Sequence, residues 1–342
     1  MIAAHHAARR AAPTLEAVAA AAGVSRSTVS RVVNGSNLVR PDVVEAVNAA
    51  IRNLKYVPNR AARSLASRQT KAIALIVPED TTRFFGDPFF AAIVQGITHA
   101  LEDSDYVLNL QLAGLTSLSD KTRNYLLGGN VDGAIVVSHH SRDEFFSELD
   151  ATLPVVFGGR PFRPEHHTNY FVDVDNAAGA ALATEHLIGL GRTRIATITG
   201  PDDMQAAIDR TDGWSRALAA AGLDDSLAAR GDFTMVGGAG AMRELLEREP
   251  ALDAVFVASD LMASGALAVL QEKGIEVPGR VAVVGFDDTS AATITGISLT
   301  TVHQPSTEMG RRMAENLLAL LRGDEVEREL ILPTRLVIRE SA

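Results

Sequence analysis

From residue 72 onward the chain alternates short, wholly apolar runs with longer amphipathic stretches, and this alternation restricts the fold more than any other feature. Residues 72–78, 133–137 and 154–157 are apolar along their length, with helical spacing near 89–101 and 121–127 between them. A second set follows at 194–199, 254–258 and 281–286, separated by helical stretches at about 204–221, 239–248 and 262–273. Strands buried on both faces and alternating with helices imply a parallel sheet covered on both sides. Two such sets imply two α/β lobes in tandem, the first division falling near 170–173, and a chain of 342 residues has room for them and a further small domain.

The first seventy residues differ in kind. They hold ten Lys and Arg against three acids, a formal charge of +7, while the chain as a whole carries −10, which leaves −17 for the remainder. A polyanion is attracted to the first segment and repelled by the second. Thr14 starts a helix whose apolar stripe is Leu15, Val18, Ala19 and Ala22, and Gly23 stops it. Ser25 caps a second helix, to Val33, that turns Val29, Val32 and Val33 inward and leaves Arg26, Ser27, Ser30 and Arg31 polar. A third, residues 41–54, begins with Pro41 and repeats Val43, Val44, Val47, Ile51 and Leu54. Two helices joined by a tight glycine turn, with a third closing the core, make a helix-turn-helix.

Several function classes are disfavoured. The chain has no cysteine, hence no disulfide, zinc thiolate or cysteine nucleophile. No run of 18 apolar residues occurs and the N-terminus lacks an export pattern, so a cytoplasmic protein without membrane contact is expected. Gly128-Gly129 and Gly237-Gly238 lack phosphate-loop spacing. His139-His140 and His166-His167 lack metal-ligand spacing and read as solvent-exposed loops. Asp87, Asp260 and Asp287 read as binding carboxylates rather than a glycosidase pair. The expectation is no enzyme, no cofactor and no metal.

The segments 14–19, 22–35 and 56–65 together resemble the head of the lactose-repressor/galactose-repressor family of bacterial transcription regulators. Later segments extend the resemblance over almost the whole chain: Asp87-Pro88-Phe89-Phe90, Val131-Asp132-Gly133, Asp173-Val174-Asp175-Asn176, Asp209-Arg210 with Gly213-Trp214, 259–266 and 283–288. The resemblance implies an α/β two-lobed core like that of periplasmic sugar-binding proteins, with a small all-α helix-turn-helix head. The implied domains are the head at 13–58, a hinge helix and linker at 59–70, and an effector-binding and dimerisation core at 71–342. Its first lobe would be 71–171 plus 299–328, and its second 172–298 plus 329–342.

In the head, the resemblance implies DNA contacts from Arg26, Ser27, Thr28, Ser30, Arg31, Asn34, Tyr56, Asn59, Ala62 and Leu65. Arg26 and Ser27 would read base edges, and Leu65 would wedge between base pairs in the minor groove. In the core it implies an effector set of Asp87, Phe89, Phe157, Arg210, Trp214, Ser259 and Asp287, with Asp260 behind or at the rim. For Trp214 lobe packing is an equal alternative, and Arg160 would support the cleft mouth or lie free on the surface. Ser259 stands where many members carry Asn, which alters a common sugar-binding pattern. The implied partners are double-stranded operator DNA, a small-molecule effector, most simply a sugar that releases the DNA, and a second copy of the chain in a homodimer or tetramer. Two alternatives remain open at this stage: a solute-binding protein with no DNA role, and a regulator whose purine or other non-sugar effector acts as corepressor.

Overall fold

Thr14 opens the first helix by accepting the Ala17 amide on its hydroxyl at 3.3 Å, and Gly23 closes it in the left-handed region at φ 66°, which glycine enters without a Cβ clash. The computed structural model describes residues 13–33, 35–57, 69–114, 119–141, 145–161, 170–294 and 296–342. They divide into two compact units, Met1–Thr70 and Lys71–Ala342.

Among its described residues the first unit holds α1 (Leu15–Ala22), α2 (Arg26–Val33) and α3 (Pro41–Leu54). Ser25 caps α2 by accepting the Thr28 amide at 3.1 Å, and Pro41 sits in the first turn of α3, where its missing N–H costs nothing. Helices this short are marginal alone in water. They are held by sharing Val18, Ala19, Val29, Val47, Ala50 and Tyr56 as a core, each fully buried valine contributing about 1.5–3 kcal/mol.

The second unit runs β1 (Ala72–Val77), α4 (Thr81–Gly86), α5 (Pro88–Leu101), β2 (Val107–Leu112), α6 (Asp120–Leu127), β3 (Gly133–Val137), α7 (Phe145–Asp150), β4 (Val155–Gly158) and β5 (Phe171–Val174). It continues through α8 (Asn176–Gly189), β6 (Ile195–Thr199), α9 (Gln205–Ala221), β7 (Ala228–Arg230), α10 (Met235–Arg248), β8 (Ala254–Val257), α11 (Asp260–Glu272), β9 (Ala282–Asp287) and α12 (Ala291–Ile294). It closes with β10 (Thr300–His303), α13 (Ser306–Arg322), β11 (Glu329–Leu332) and β12 (Arg335–Val337).

Two six-stranded sheets result, ordered β11-β5-β4-β3-β1-β2 and β12-β10-β9-β8-β6-β7. The first is parallel throughout. The second departs from parallel only at its β10–β12 edge. All six residues of β1 and of β9 are buried, as a sheet covered on both faces requires. Helix α13 packs on α5 and on β3, β4 and β5 of the first lobe. The two helices approach so closely that a methyl group on Gly96 would stand 1.9 Å from the Thr307 carbonyl oxygen.

The chain passes between the lobes three times, after β5, after β10 and after β11. This corrects the lobe limits expected from sequence. The first passage follows Val174 rather than residue 171, β10 pairs with β9 in the second lobe rather than the first, and β11 pairs with β5 in the first rather than the second. Four-residue strands such as these suit either sheet, and only register with a distant partner decides between them.

Candidate functional site

The carboxyl ends of both sheets face a cleft of about 670 Å³, counting its solvent-open part, within the range of small-ligand pockets. Open α/β sheets bind ligands at this position because strand ends and helix N-termini converge there.

The centre of the cleft is Arg210, on α9 and 5% exposed. Its Nε donates to Asn176 Oδ1 at 2.8 Å, its Nη1 to the Ala258 carbonyl at 2.6 Å and to Asp287 Oδ1 at 3.2 Å, and its Nη2 to Gln304 Oε1 at 2.8 Å. The guanidinium also lies over the Phe286 ring, 3.7 Å from the centroid, a cation–π contact strengthened by burial. These bonds use four of the five guanidinium N–H groups, leaving one for a ligand among the described residues. Asn176 is itself held by Asp173, whose Oδ1 accepts its amide at 3.0 Å. Arg210 thus joins the ends of β5, β8, β9 and β10, two of which lead directly into passages between the lobes.

Burial pulls the Arg210 guanidinium below its usual range, against the charges of Asp287 and Asp173. It pushes the Asp287 carboxyl up to about 7 despite Arg210, and it raises Asp173. Asp287 has a φ of 108°, a left-handed conformation that costs a non-glycine residue about 1–3 kcal/mol and recurs at binding sites.

Asp87, Phe89, Ser259 and Asp287 line the cleft with Arg210. Asp87 caps α5, accepting the Phe89 amide at 3.0 Å, and burial raises its pKa, with the charges of Arg83 and Arg210 opposing. Ser259 caps α11 by accepting the Met262 amide at 3.2 Å. Phe157, Trp214 and Asp260 do not line the cleft, which departs from expectation for Phe157, selects packing between the two alternatives for Trp214, and sets Asp260 behind the site as one of its two expected places. Phe157 points into the layer with Phe146 and is 1% exposed, because alternate residues of a strand face opposite sides. Trp214, one helical turn beyond Arg210, is 2% exposed and belongs to the apolar core, so packing is its role here. Asp260 is fully buried beneath the cleft, accepting the Thr301 hydroxyl at 2.6 Å and the Thr289 amide at 2.8 Å. Burial, reinforced by the neighbouring Asp287 charge, pushes its carboxyl well up.

Sequence reasoning missed much of the remaining wall: Arg83, Ser138, His139, Asp173, Asn176, Met204, Gln205, Phe233, Gln304 and Met309. Asp173 and Asn176 stood inside a quoted segment, and Glu79 with Arg83 has the i,i+4 spacing of an ion pair. Nothing marked Phe233 or Gln304. His139 and His140 are not surface loops as expected. His139 is 8% exposed with Nε2 3.3 Å from the Gly159 carbonyl, and His140 bridges the lobes, Nδ1 lying 3.0 Å from Asp203 Oδ1 and Nε2 3.4 Å from Glu79 Oε1. Arg160 lies at the cleft and reaches across to both carboxylate oxygens of Asp209, at 2.8 and 2.7 Å.

In the head, Arg26, Ser27 and Arg31 are exposed and Thr28 and Ser30 half-buried, all on α2. Arg26 pairs with Glu16 at 3.0 Å. Tyr56, expected among the DNA contacts, is 8% exposed within the head core, because it follows α3 closely enough to cover the apolar faces. Asn34, Asn59, Ala62 and Leu65, and likewise His166 and His167, fall outside the described residues. Among the described residues no helix is long and apolar enough to cross a membrane, and none of the His, Asp and Glu residues forms a group of three placed to hold a metal.

A basic helix-turn-helix and a two-lobed ligand cleft in one chain define a ligand-responsive DNA-binding regulator. Residues 14–59 match the family model for bacterial regulatory proteins of the lacI family, and residues 184–342 that for the periplasmic binding protein-like domain. The chain is 47% identical to the HTH-type transcriptional regulator CelR of Thermobifida fusca over 97% of its own length and 99% of that protein. It therefore belongs to the lacI family of bacterial regulatory proteins.

Two solved structures show the same architecture. One is a transcriptional regulator CelR–cellobiose complex, 45% identical, covering 96% of this chain and all of that one with a TM-score of 0.77. The other is the lac repressor dimer bound to operator and an anti-inducer, 28% identical, covering 96% of this chain and 98% of that one with a TM-score of 0.84.

Proposed function

We propose that this regulator represses transcription as a homodimer on a pseudopalindromic operator and is released when cellobiose, or a closely similar β-linked glucose disaccharide, binds between its lobes. The observation that carries the reading is the Arg210–Asp287 pair at the cleft centre, flanked by Phe89 and Phe233, in a chain so similar to one solved with cellobiose bound. Sugars present adjacent hydroxyls that both donate and accept, which suits paired Arg and Asp side chains, and apolar ring faces that suit Phe. A dimer supplies two copies of α2, enough base contacts for selective binding.

Binding that favours one lobe arrangement shifts the population of the arrangement competent for DNA. A coupling of about 1–3 kcal/mol changes operator affinity some 5–150-fold, enough to switch a promoter. Asp87 and Asp287 serve as binding groups, without turnover of the sugar, and the protein acts on DNA in the cytoplasm.

The test is fluorescence anisotropy of the full-length protein on operator DNA, titrated with cellobiose, D-ribose and hypoxanthine. Cellobiose should weaken the complex. Tightening by hypoxanthine would turn the reading into purine corepression, and no response to cellobiose would refute it.

A further inference from the structure

Arg83, on α4 of the first lobe, lines the cleft but takes no part in the Arg210 cluster. Its side chain is 9% exposed, and its Nη1 is paired with the fully buried carboxylate of Glu79. Its Nε is buried and has no hydrogen-bond partner among the described residues. A buried donor left unpaired costs about 1–3 kcal/mol, more when it belongs to a charged group, so an acceptor supplied by a ligand is favoured there.

The rest of the surroundings fit a sugar ring. The Phe233 ring of the second lobe lies 5.2 Å from the guanidinium carbon. The guanidinium is fixed from behind, since the Glu79 Oε1 that holds it also accepts the Ser138 hydroxyl at 2.6 Å and lies 3.4 Å from His140 Nε2. His140 in turn meets Asp203 of the second lobe. The cleft therefore has two polar ends. One is Arg210 with Asp287, Asn176 and Gln304, seated on the passages between lobes; the other is Arg83, tied to the His140–Asp203 contact. The charge of Asp87 is felt by both arginines.

We propose that Arg83 is a specificity-determining residue of the effector site, donating from Nε to a hydroxyl or ring oxygen on the second sugar of a disaccharide whose first sugar is held at Arg210 and Asp287. This rests on the disaccharide reading of the effector. It makes Arg83 the group that separates a disaccharide from its monosaccharide.

Isothermal titration of the full-length protein with cellobiose and with D-glucose tests it, using Arg83→Gln and Arg83→Lys. Lys keeps the charge and the partner for Glu79 but places no N–H where Nε stands, so it guards against an unfolded Gln variant. Both variants should bind cellobiose about tenfold or more weakly, the worth of one charge-assisted hydrogen bond, while glucose affinity stays within about twofold. The preference for the disaccharide would then collapse. Equal loss for both sugars, or full cellobiose affinity in Arg83→Lys, would overturn the assignment. A wild-type protein that binds glucose and not cellobiose would overturn the disaccharide reading itself, visible before any variant is made, and the inference with it.

Discussion

Nδ1 of His140 stands 3.0 Å from Oδ1 of Asp203 across the cleft, and the backbone joins the same contact, the Ser141 amide donating to the Asp203 carbonyl at 2.8 Å. Burial alone would lower the imidazole pKa. The hydrogen bonds to Glu79 and Asp203 override that and raise it to about 9.

A folded-state pKa raised above the unfolded value favours the folded protein while the group is protonated in both states. The stabilisation is fully present below about pH 6.5 and is lost as pH rises through about 9. With solvent screening it amounts to about 1–2 kcal/mol. Calorimetric melting from pH 6 to pH 10 should show wild type losing this increment, and His140→Gln should show a flatter profile. Parallel profiles would mean that the contact adds no protonation-linked stability.

Arg160 and Asp209 make a second bridge between lobes, with the arginine side chain 46% exposed and the carboxylate 17%. Gln205 also donates to Asp209, at 2.8 Å, so the acceptor is well fixed. An ion pair this exposed is worth about 0–1 kcal/mol. Arg160→Gln should therefore leave the melting temperature nearly unchanged and weaken binding of the proposed effector by up to about fivefold, since the lost energy belongs to lobe closure. The reversed pair, Arg160→Asp with Asp209→Arg, should recover part of the affinity. Failure of the reversal to recover any would show that Arg160 acts on the ligand directly.

The legible part of this chain was periodic. Three head helices, six apolar core strands and the helices between them follow from spacing and capping residues such as Thr14, Ser25 and Pro41. Arg210, Asp287, Asp87, Phe89 and Ser259, which line one cleft, follow instead from the resemblance to the family, because local spacing marks none of them as ligand-facing. Local spacing also failed where long-range register decides. Nothing in residues 300–303 or 329–332 says which sheet each joins, so the lobe limits were misassigned. Phe157 is expected at the ligand because aromatic residues beside a site suit a sugar, yet strand alternation turns it away; for Trp214, where ligand contact and packing stood equal, one further helical turn decides for packing. His140 was read as exposed because its partners, Glu79 and Asp203, are 61 and 63 residues away, beyond any local pattern.

Gly213 and Gly240 give a matched test of helix packing. A methyl group at Gly213, on α9 facing α8, would stand 2.1 Å from the Ala177 carbonyl oxygen, whereas one at Gly240, on α10, meets nothing within 4 Å. Gly213→Ala should destabilise by about 1–3 kcal/mol through overpacking. It should also weaken effector binding, because α9 carries Arg210. Gly240→Ala should stabilise by about 0.4–1 kcal/mol by restricting the unfolded chain. Urea denaturation with matched slopes would separate the two, and a neutral Gly213→Ala would show that α8 and α9 separate easily.

The head makes its own prediction through Arg26. The side chain is exposed at the start of α2 and pairs, among the described residues, with the exposed Glu16 at 3.0 Å, a pairing weak enough to yield to a stronger acceptor. Guanine offers one, since its O6 and N7 match the arginine fork. If Arg26 makes that bidentate contact, Arg26→Ala should abolish discrimination at one base pair in each half-site, worth about 1–3 kcal/mol, and leave other positions selective. If Arg31 serves the phosphates, Arg31→Ala should weaken binding to all sequences alike and reduce the salt slope by about one unit per head. Both variants should be titrated over a salt series on matched and singly mismatched operators by fluorescence anisotropy. Uniform weakening by Arg26→Ala, with every mismatch penalty intact, would assign Arg26 to the backbone and leave base reading to Ser27 and its neighbours.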